Sequence, residues 1–237
     1  MTNVAVVIPV KQDGDRKYLG QTLKTLQAQT YRDFRTTVVF DQGRGASWAR
    51  NKGARVTTSK YILFSDDDVL WKPDALGKLV TTLEVHPEVS IAYGPYAWIY
   101  PPDPHQPADM AIHHTVPPVE WDPAVLRLWN YVSTMSLVRR HDFIGFGFDE
   151  NLTRLQDWDL WLRMAARGNR GKLVSLDPLF QQIAQPGITL DSDLKSAPGF
   201  PEARQKLVDK GLLSPRVGED TGEARTPKPY YAQGGEK

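Results

Sequence analysis

Over the first ninety-odd residues, short β-rich apolar runs alternate with stretches whose apolar positions recur at helical spacing. This alternation predicts βαβ units around a mostly parallel central sheet flanked by helices, an α/β class. Strands are predicted at residues 4–8, 36–40, 61–64 and 89–93. Leu19, Leu23 and Leu26 mark one helix face, residues 49–56 a second helix, and Leu76, Leu79, Val80 and Leu83 a third, which opens after Pro73. In open α/β sheets ligands bind beyond the carboxyl ends of the strands. Asp41 and Asp66 stand at two such ends.

The pattern then changes. Pro101, Pro102, Pro104, Pro107, Pro117 and Pro118 forbid a regular helix or a central strand, so residues 100–118 are predicted to form a long loop. An apolar stretch at 129–138, a Gly-Phe repeat at 143–150 and an amphipathic helix opening near Asp157 follow. From about Ser214 the chain turns to Gly, Pro and charge and is predicted to be an extended tail, 214–237, with few buried contacts. There is no internal repeat.

Composition narrows the function classes. The 237 residues, 41% hydrophobic and 10% aromatic, suffice for a sizeable core. With 29 Lys plus Arg against 28 Asp plus Glu, a net charge of +1 gives no basic footprint for nucleic acid. The absence of cysteine excludes disulfides and thiolate metal sites and fits a reducing, cytoplasmic setting. The apolar run from Val4 to Val10 has no basic flank and is too short for a signal peptide or a membrane span, and no later segment is long enough to cross a bilayer.

Three features can carry chemistry. Asp66, Asp67 and Asp68 follow Ser65 directly after the apolar run 61–64. Adjacent carboxylates repel one another, and a divalent cation among them relieves that repulsion; hard oxygen ligation suits Mg²⁺ or Mn²⁺, which keep waters and bridge to a diphosphate. A solvated acidic turn explains the same triplet. Asp41 can accept from a nucleobase edge or a ribose hydroxyl, or can merely open the turn through Gln42 and Gly43. In the run from Gln156 to Arg163, Trp158, Trp161, Leu162 and Ala165 share a helical face and Asp157 stands where an N-cap would. Asp157 is either that cap or a general base beside an aromatic platform, Trp158.

Five ordered blocks resemble glycosyltransferase family 2: residues 6–10, 26–34, 50–54, 61–68, and 148–152 taken with 157–162. The likeness spans about residues 4–190. It implies a GT-A (Rossmann-like) fold, with a nucleotide-binding half at about 1–98 and an acceptor half at about 119–213. It also implies a nucleotide-diphosphate-sugar donor, a UDP-sugar first among them, a Mn²⁺ or Mg²⁺ ion, and inverting transfer to a hydroxyl of a glycan or glycoconjugate. By the same resemblance Pro9 and Asp41 belong to the nucleotide pocket, and Arg50 and Asn51 lie on the donor side. Asp66 to Asp68 form the DXD-type motif, with Asp66 and Asp68 assigned to the metal and Asp67 to substrate. Asp157 takes the place of the catalytic base.

Two positions depart from the family pattern. Gln156 replaces the Glu that usually precedes the base, and Gln185 stands where a His often precedes Pro-Gly. The His113–His114 pair is a conceivable substitute ligand, though adjacent loop histidines are ordinarily solvated. The two glutamines leave open a catalytically silent nucleotide- or glycan-binding module on the same fold. A nucleotidyltransferase would share the strand-end carboxylates but lacks a visible Gly-rich, Lys-bearing phosphate loop. The run Gly43-Arg44-Gly45 has Trp48 where a dinucleotide fingerprint needs its third glycine.

Overall fold

The computed structural model describes residues 2–14, 16–99, 112–184 and 199–215, with the backbone alone at 112–114. Seventeen elements follow in order: β1 (Val4–Val10), α1 (Leu19–Gln27), β2 (Phe34–Phe40), α2 (Ala46–Val56), β3 (Tyr61–Phe64), β4 (Val69–Trp71), α3 (Ala75–Val85), β5 (Ile91–Tyr93), β6 (Tyr96–Ile99), β7 (Ile112–Val116), α4 (Pro123–Leu128), β8 (Leu137–Arg139), α5 (Arg140–Ile144), α6 (Gln156–Ala166), β9 (Gly171–Leu173), β10 (Phe180–Ile183) and α7 (Phe200–Asp209).

The main sheet has the order β2-β1-β3-β8-β5-β9. β1 pairs parallel with β2 and β3, β5 pairs parallel with β9, and β8 runs antiparallel between β3 and β5. It is a mixed, mostly parallel α/β sheet of the expected class. β1 is buried along its whole length, and strand alternation sends its side chains to two cores. Val4, Val6 and Ile8 join Tyr61, Leu63 and the Leu76-Leu79-Leu83 face of α3. Val7 joins Ile62, Phe64, Ala49 and Trp161 on the other side, under α2 and α6. Each fully buried aliphatic or aromatic side chain contributes about 1.5–3 kcal/mol, so these two layers hold the sheet.

The second half departs from the sequence reading. A separate sheet, β4-β10-β6-β7, is assembled from strands too short to show a period. Within the predicted loop, residues 112–116 form β7, antiparallel to β6; they contain no proline, and Pro117 follows directly. α6 opens at Gln156 and its cap is Leu155, in the left-handed region at φ 58°, so Asp157 is not the N-cap. α7 buries Ala203 and Leu207 in the core with Leu212 and Leu213. Residues 216–237 of the predicted tail lie outside the described residues.

α2 rests unusually close to the sheet. A Cβ at Gly53 would fall 2.4 Å from Val7 Cγ1 and 3.3 Å from Val39 Cγ2, whereas one at Gly20 in α1 would meet nothing within 4 Å. Gly53→Ala should therefore cost about 1–3 kcal/mol in urea unfolding by overpacking. Gly20→Ala should be neutral or stabilising by up to about 1 kcal/mol. Equal unfolding midpoints for the two variants would contradict this packing.

Candidate functional site

β3 ends at Phe64 and β4 begins at Val69, so Asp66, Asp67 and Asp68 occupy the turn between the two sheets. Buried Ser65 anchors it, accepting from Trp71 Nε1 at 2.9 Å. The three carboxylates have different surroundings. Asp66 Oδ1 receives Arg50 Nη2 at 2.6 Å. Asp68 Oδ1 receives Gln182 Nε2 at 3.2 Å, and Asp68 carbonyl receives Ile183 N at 2.9 Å. Asp67 is pushed up from 3.8 to about 6, first by burial and then by the negative charge of Asp66.

Arg50 comes from α2 and is 5% exposed. Besides Asp66 it reaches Gln156 Oε1 at the start of α6, Nη1 to oxygen 3.4 Å, and its guanidinium lies 5.3 Å from the Phe148 ring centre. Its buried Nε has no hydrogen-bond partner among the described residues. Gln156 Nε2 donates to Leu152 carbonyl at 2.9 Å. Asp157, next along, accepts from Trp158 N at 2.8 Å. Burial raises its carboxyl pKa; the Trp158 N–H, the Arg50 charge and the Asn130 amide pull against that rise without cancelling it.

At the neighbouring strand ends, Asp41 Oδ1 accepts from Gln12 N at 2.9 Å and from Gly43 N at 3.0 Å. It thus ties the end of β1 to the end of β2 while remaining at the carboxyl edge. Pro9 is buried in β1 opposite Val39. Gly43 and Gly45 take φ of 75° and 87°, conformations that glycine adopts without strain, and turn the chain into α2.

Two expected site residues have other work. Asn51, expected on the donor side, is 4% exposed. Its Nδ2 donates to Phe148 carbonyl and Glu150 Oε1, both at 2.9 Å, and its Oδ1 accepts from Phe148 N at 2.8 Å. Both amide donors are spent, so Asn51 is a clasp between α2 and the 147–150 loop. Gly147, at φ 63°, lets that loop approach; a Cβ there would sit 3.2 Å from Asn51 Oδ1. Trp158, expected as an aromatic platform beside the base, lies in the core at 7% exposure, and its indole N–H donates to Leu126 carbonyl at 2.6 Å. Gln185 and the side chains of His113 and His114 lie outside the described residues. Gln182 was not singled out in the sequence: its contact with Asp68 arises only from the pairing of β4 with β10. A cleft of about 330 Å³ beside Asn51, Arg55, Phe148 and Glu150 includes neither the acidic turn nor Asp157.

Among the described residues no group of three or more His, Cys, Asp or Glu is arranged to hold a metal. The acidic turn accordingly does not fit an all-protein cage. Its chemistry fits a hard cation held by one or two carboxylates and completed by ligand phosphates, because Mg²⁺ and Mn²⁺ accept such mixed shells. Asp67 is raised first by burial and second by the charge of Asp66, so negative charge still acts on it although Arg50 pairs with Asp66.

A raised carboxyl pKa favours the folded state below about 3.8, and that contribution is lost as pH rises through about 6. Asp67→Asn should therefore raise the melting temperature of the ligand-free protein at pH 7–8 and leave it nearly unchanged near pH 4. A pH-independent difference in thermal denaturation would contradict the assignment.

Residues 36–144, from within β2 to the end of α5, match the sequence profile described as Glycosyl transferase family 2. An uncharacterized glycosyltransferase of Haemophilus influenzae is 24% identical over 147 residues, 57% of this chain and 46% of its own length. The chain spans from 20% to 64% of the lengths of the curated relatives it matches. Staphylococcus aureus TarS 1–349 in complex with UDP-GlcNAc superposes with a TM-score of 0.65 at 16% identity, covering 91% of this chain and 68% of that one. The mannosyltransferase PcManGT of Pyrobaculum calidifontis, in complex with GDP-Man and Mn²⁺, gives 0.55 at 16% identity over 80% and 58%. At such identity the likeness is one of fold. The sheet has the GT-A arrangement of these structures, and over residues 36–144, which include the acidic turn after its third strand, the chain is similar to glycosyl transferase family 2.

Proposed function

We propose that the chain is an inverting glycosyltransferase, moving a sugar from a nucleotide-diphosphate sugar, a UDP-sugar in the first instance, to a hydroxyl of a glycan or glycoconjugate. The observation that carries this reading is Arg50. One side chain touches both Asp66 in the acidic turn and Gln156 beside Asp157, so a charge-binding turn and a proton acceptor share one neighbour. The match of residues 36–144 to glycosyl transferase family 2 supports the donor class, and the nucleotide sugars bound by TarS and PcManGT support it by fold likeness.

In this reading Pro9 and Asp41 border the nucleotide at the ends of β1 and β2. Asp67 faces the donor, and Arg50, buried behind Asp66, brings positive charge to the donor side. Residues 1–98 then form the donor half and 119–213 the acceptor half. Asp157 takes the proton of the acceptor hydroxyl while that oxygen bonds to the anomeric carbon. The bond from the anomeric carbon to the diphosphate oxygen breaks on the opposite face, and its electron pair leaves with the diphosphate, which inverts the centre. Burial that raises the Asp157 carboxyl makes it a stronger proton acceptor. Asp66 and Asp68 are the residues that would hold Mn²⁺ or Mg²⁺, which supplies charge stabilisation to the leaving diphosphate.

Asp157→Asn should lower kcat by about 10²- to 10⁴-fold with donor affinity unchanged. Asp68→Ala should instead weaken donor binding measured by calorimetry in the presence of Mn²⁺. Product NMR should report the opposite anomeric configuration to the donor's. Turnover by Asp157→Asn at the wild-type rate would overturn the base assignment, and nucleotide binding without any release of sugar would favour the silent-module reading that the neutral Gln156 keeps open.

A further inference from the structure

The junction between the acidic turn and α6 is a single guanidinium in a closed setting. Arg50 is held against Phe148, gives one nitrogen to Asp66 and another to Gln156, and is nearly sealed from water. The Gln156 amide cannot turn round, because its Nε2 is committed to Leu152 carbonyl. Its oxygen must therefore face Arg50, and that oxygen is a neutral acceptor that withdraws no net charge from the guanidinium. A carboxylate in the same place could not donate to Leu152 and would compete with Asp66 for Arg50.

We propose that Arg50 is a positioning residue that couples the acidic turn to the start of α6, and that Gln156, by being neutral, leaves the Arg50 charge to serve Asp66 and Asp157 together. The inference rests on the reading of Asp157 as the base. The groups bearing on Asp157 are Arg50 from α2, Asn130 from the segment between α4 and β8, and the Trp158 N–H and its own backbone N–H at the start of α6. Of these only Arg50 is charged. Asp66 on the β3–β4 turn acts on Asp157 through its hold on Arg50. The neutral residue at 156 is thus a tuning device: it settles how much of one positive charge reaches the base.

The test compares Gln156→Glu with Gln156→Met, reading Asp157 by carboxyl-carbon NMR titration of the free protein and by the acid limb of kcat/KM against pH. Asp157→Asn assigns the NMR resonance. Gln156→Glu adds a like charge beside Asp157 and draws Arg50 away, so both midpoints should move to higher pH, by on the order of one unit. Gln156→Met loses the same hydrogen bonds without adding charge. It should lower kcat and leave the midpoint within about 0.3 of a unit of wild type, a shift of twofold in proton affinity. Arg50→Gln should move the midpoint in the same direction as Gln156→Glu. If Gln156→Glu leaves the NMR midpoint unmoved, or if Gln156→Met moves it equally, the coupling is wrong even though Asp157→Asn is inactive. Normal turnover by Asp157→Asn would instead overturn the reading on which the coupling rests. The NMR titration needs no activity, so an inactive Gln156→Glu protein still decides the matter.

Discussion

The 2.6 Å contact between Arg50 and Asp66 fixes the relation of the parts around it. A guanidinium so nearly buried is tolerable only while paired, since removing one partner of a buried ion pair costs about 3–5 kcal/mol. Everything that positions Arg50 therefore positions the candidate site. Gly53 lets α2 settle on Val7 and Val39, which brings Arg50 alongside the tip of β3. Asn51, one residue on, clasps the loop that sets Phe148 beneath the guanidinium. α6 is secured from its far side: fully buried Asp159 is met by Lys210 at 2.5 Å and Arg163 at 2.7 Å, which ties the helix carrying Asp157 to the segment just after α7.

The pairing also leaves a remainder. Asp67 is pushed up to about 6, first by burial and then by the charge of Asp66, which Arg50 pairs with but does not remove. In the proposed reading a cation brought in with a diphosphate would add positive charge beside these carboxylates, and the phosphate oxygens would share in its shell. Stability given up in the free protein is in this account the source of affinity for the ligand.

The first half of the chain was legible because its elements are long enough to show their period. β3 falls at 61–64 as the apolar run indicated, and β1 and β2 extend the predicted strands by two residues each, toward the sheet edge in β1 and at the start of β2. The acidic triplet could be placed at a strand end for the same reason. The second half was not legible on those terms. Three-residue strands such as β8 and β9 carry no periodicity, and β8 finds its place only by pairing with β3 and β5. Leu155 as a left-handed cap has no sequence signal, so Asp157 looked like the cap. Asn51 and Gln182 show the limit for side chains: their partners lie 97 and 114 residues away, and nothing local distinguishes a clasp from a ligand contact. Trp158 looked like a platform because its neighbour is acidic, but the helix turns its ring inward against Leu126.

The central claim, that the acidic turn is completed by a cation and a diphosphate arriving together, is tested most directly by Mn²⁺ electron paramagnetic resonance with UDP, GDP, dTDP and CDP in turn. The account predicts weak Mn²⁺ binding to the free protein and much tighter binding with one of these nucleotides present. Nucleotide affinity that is the same in EDTA as in Mn²⁺ would contradict it.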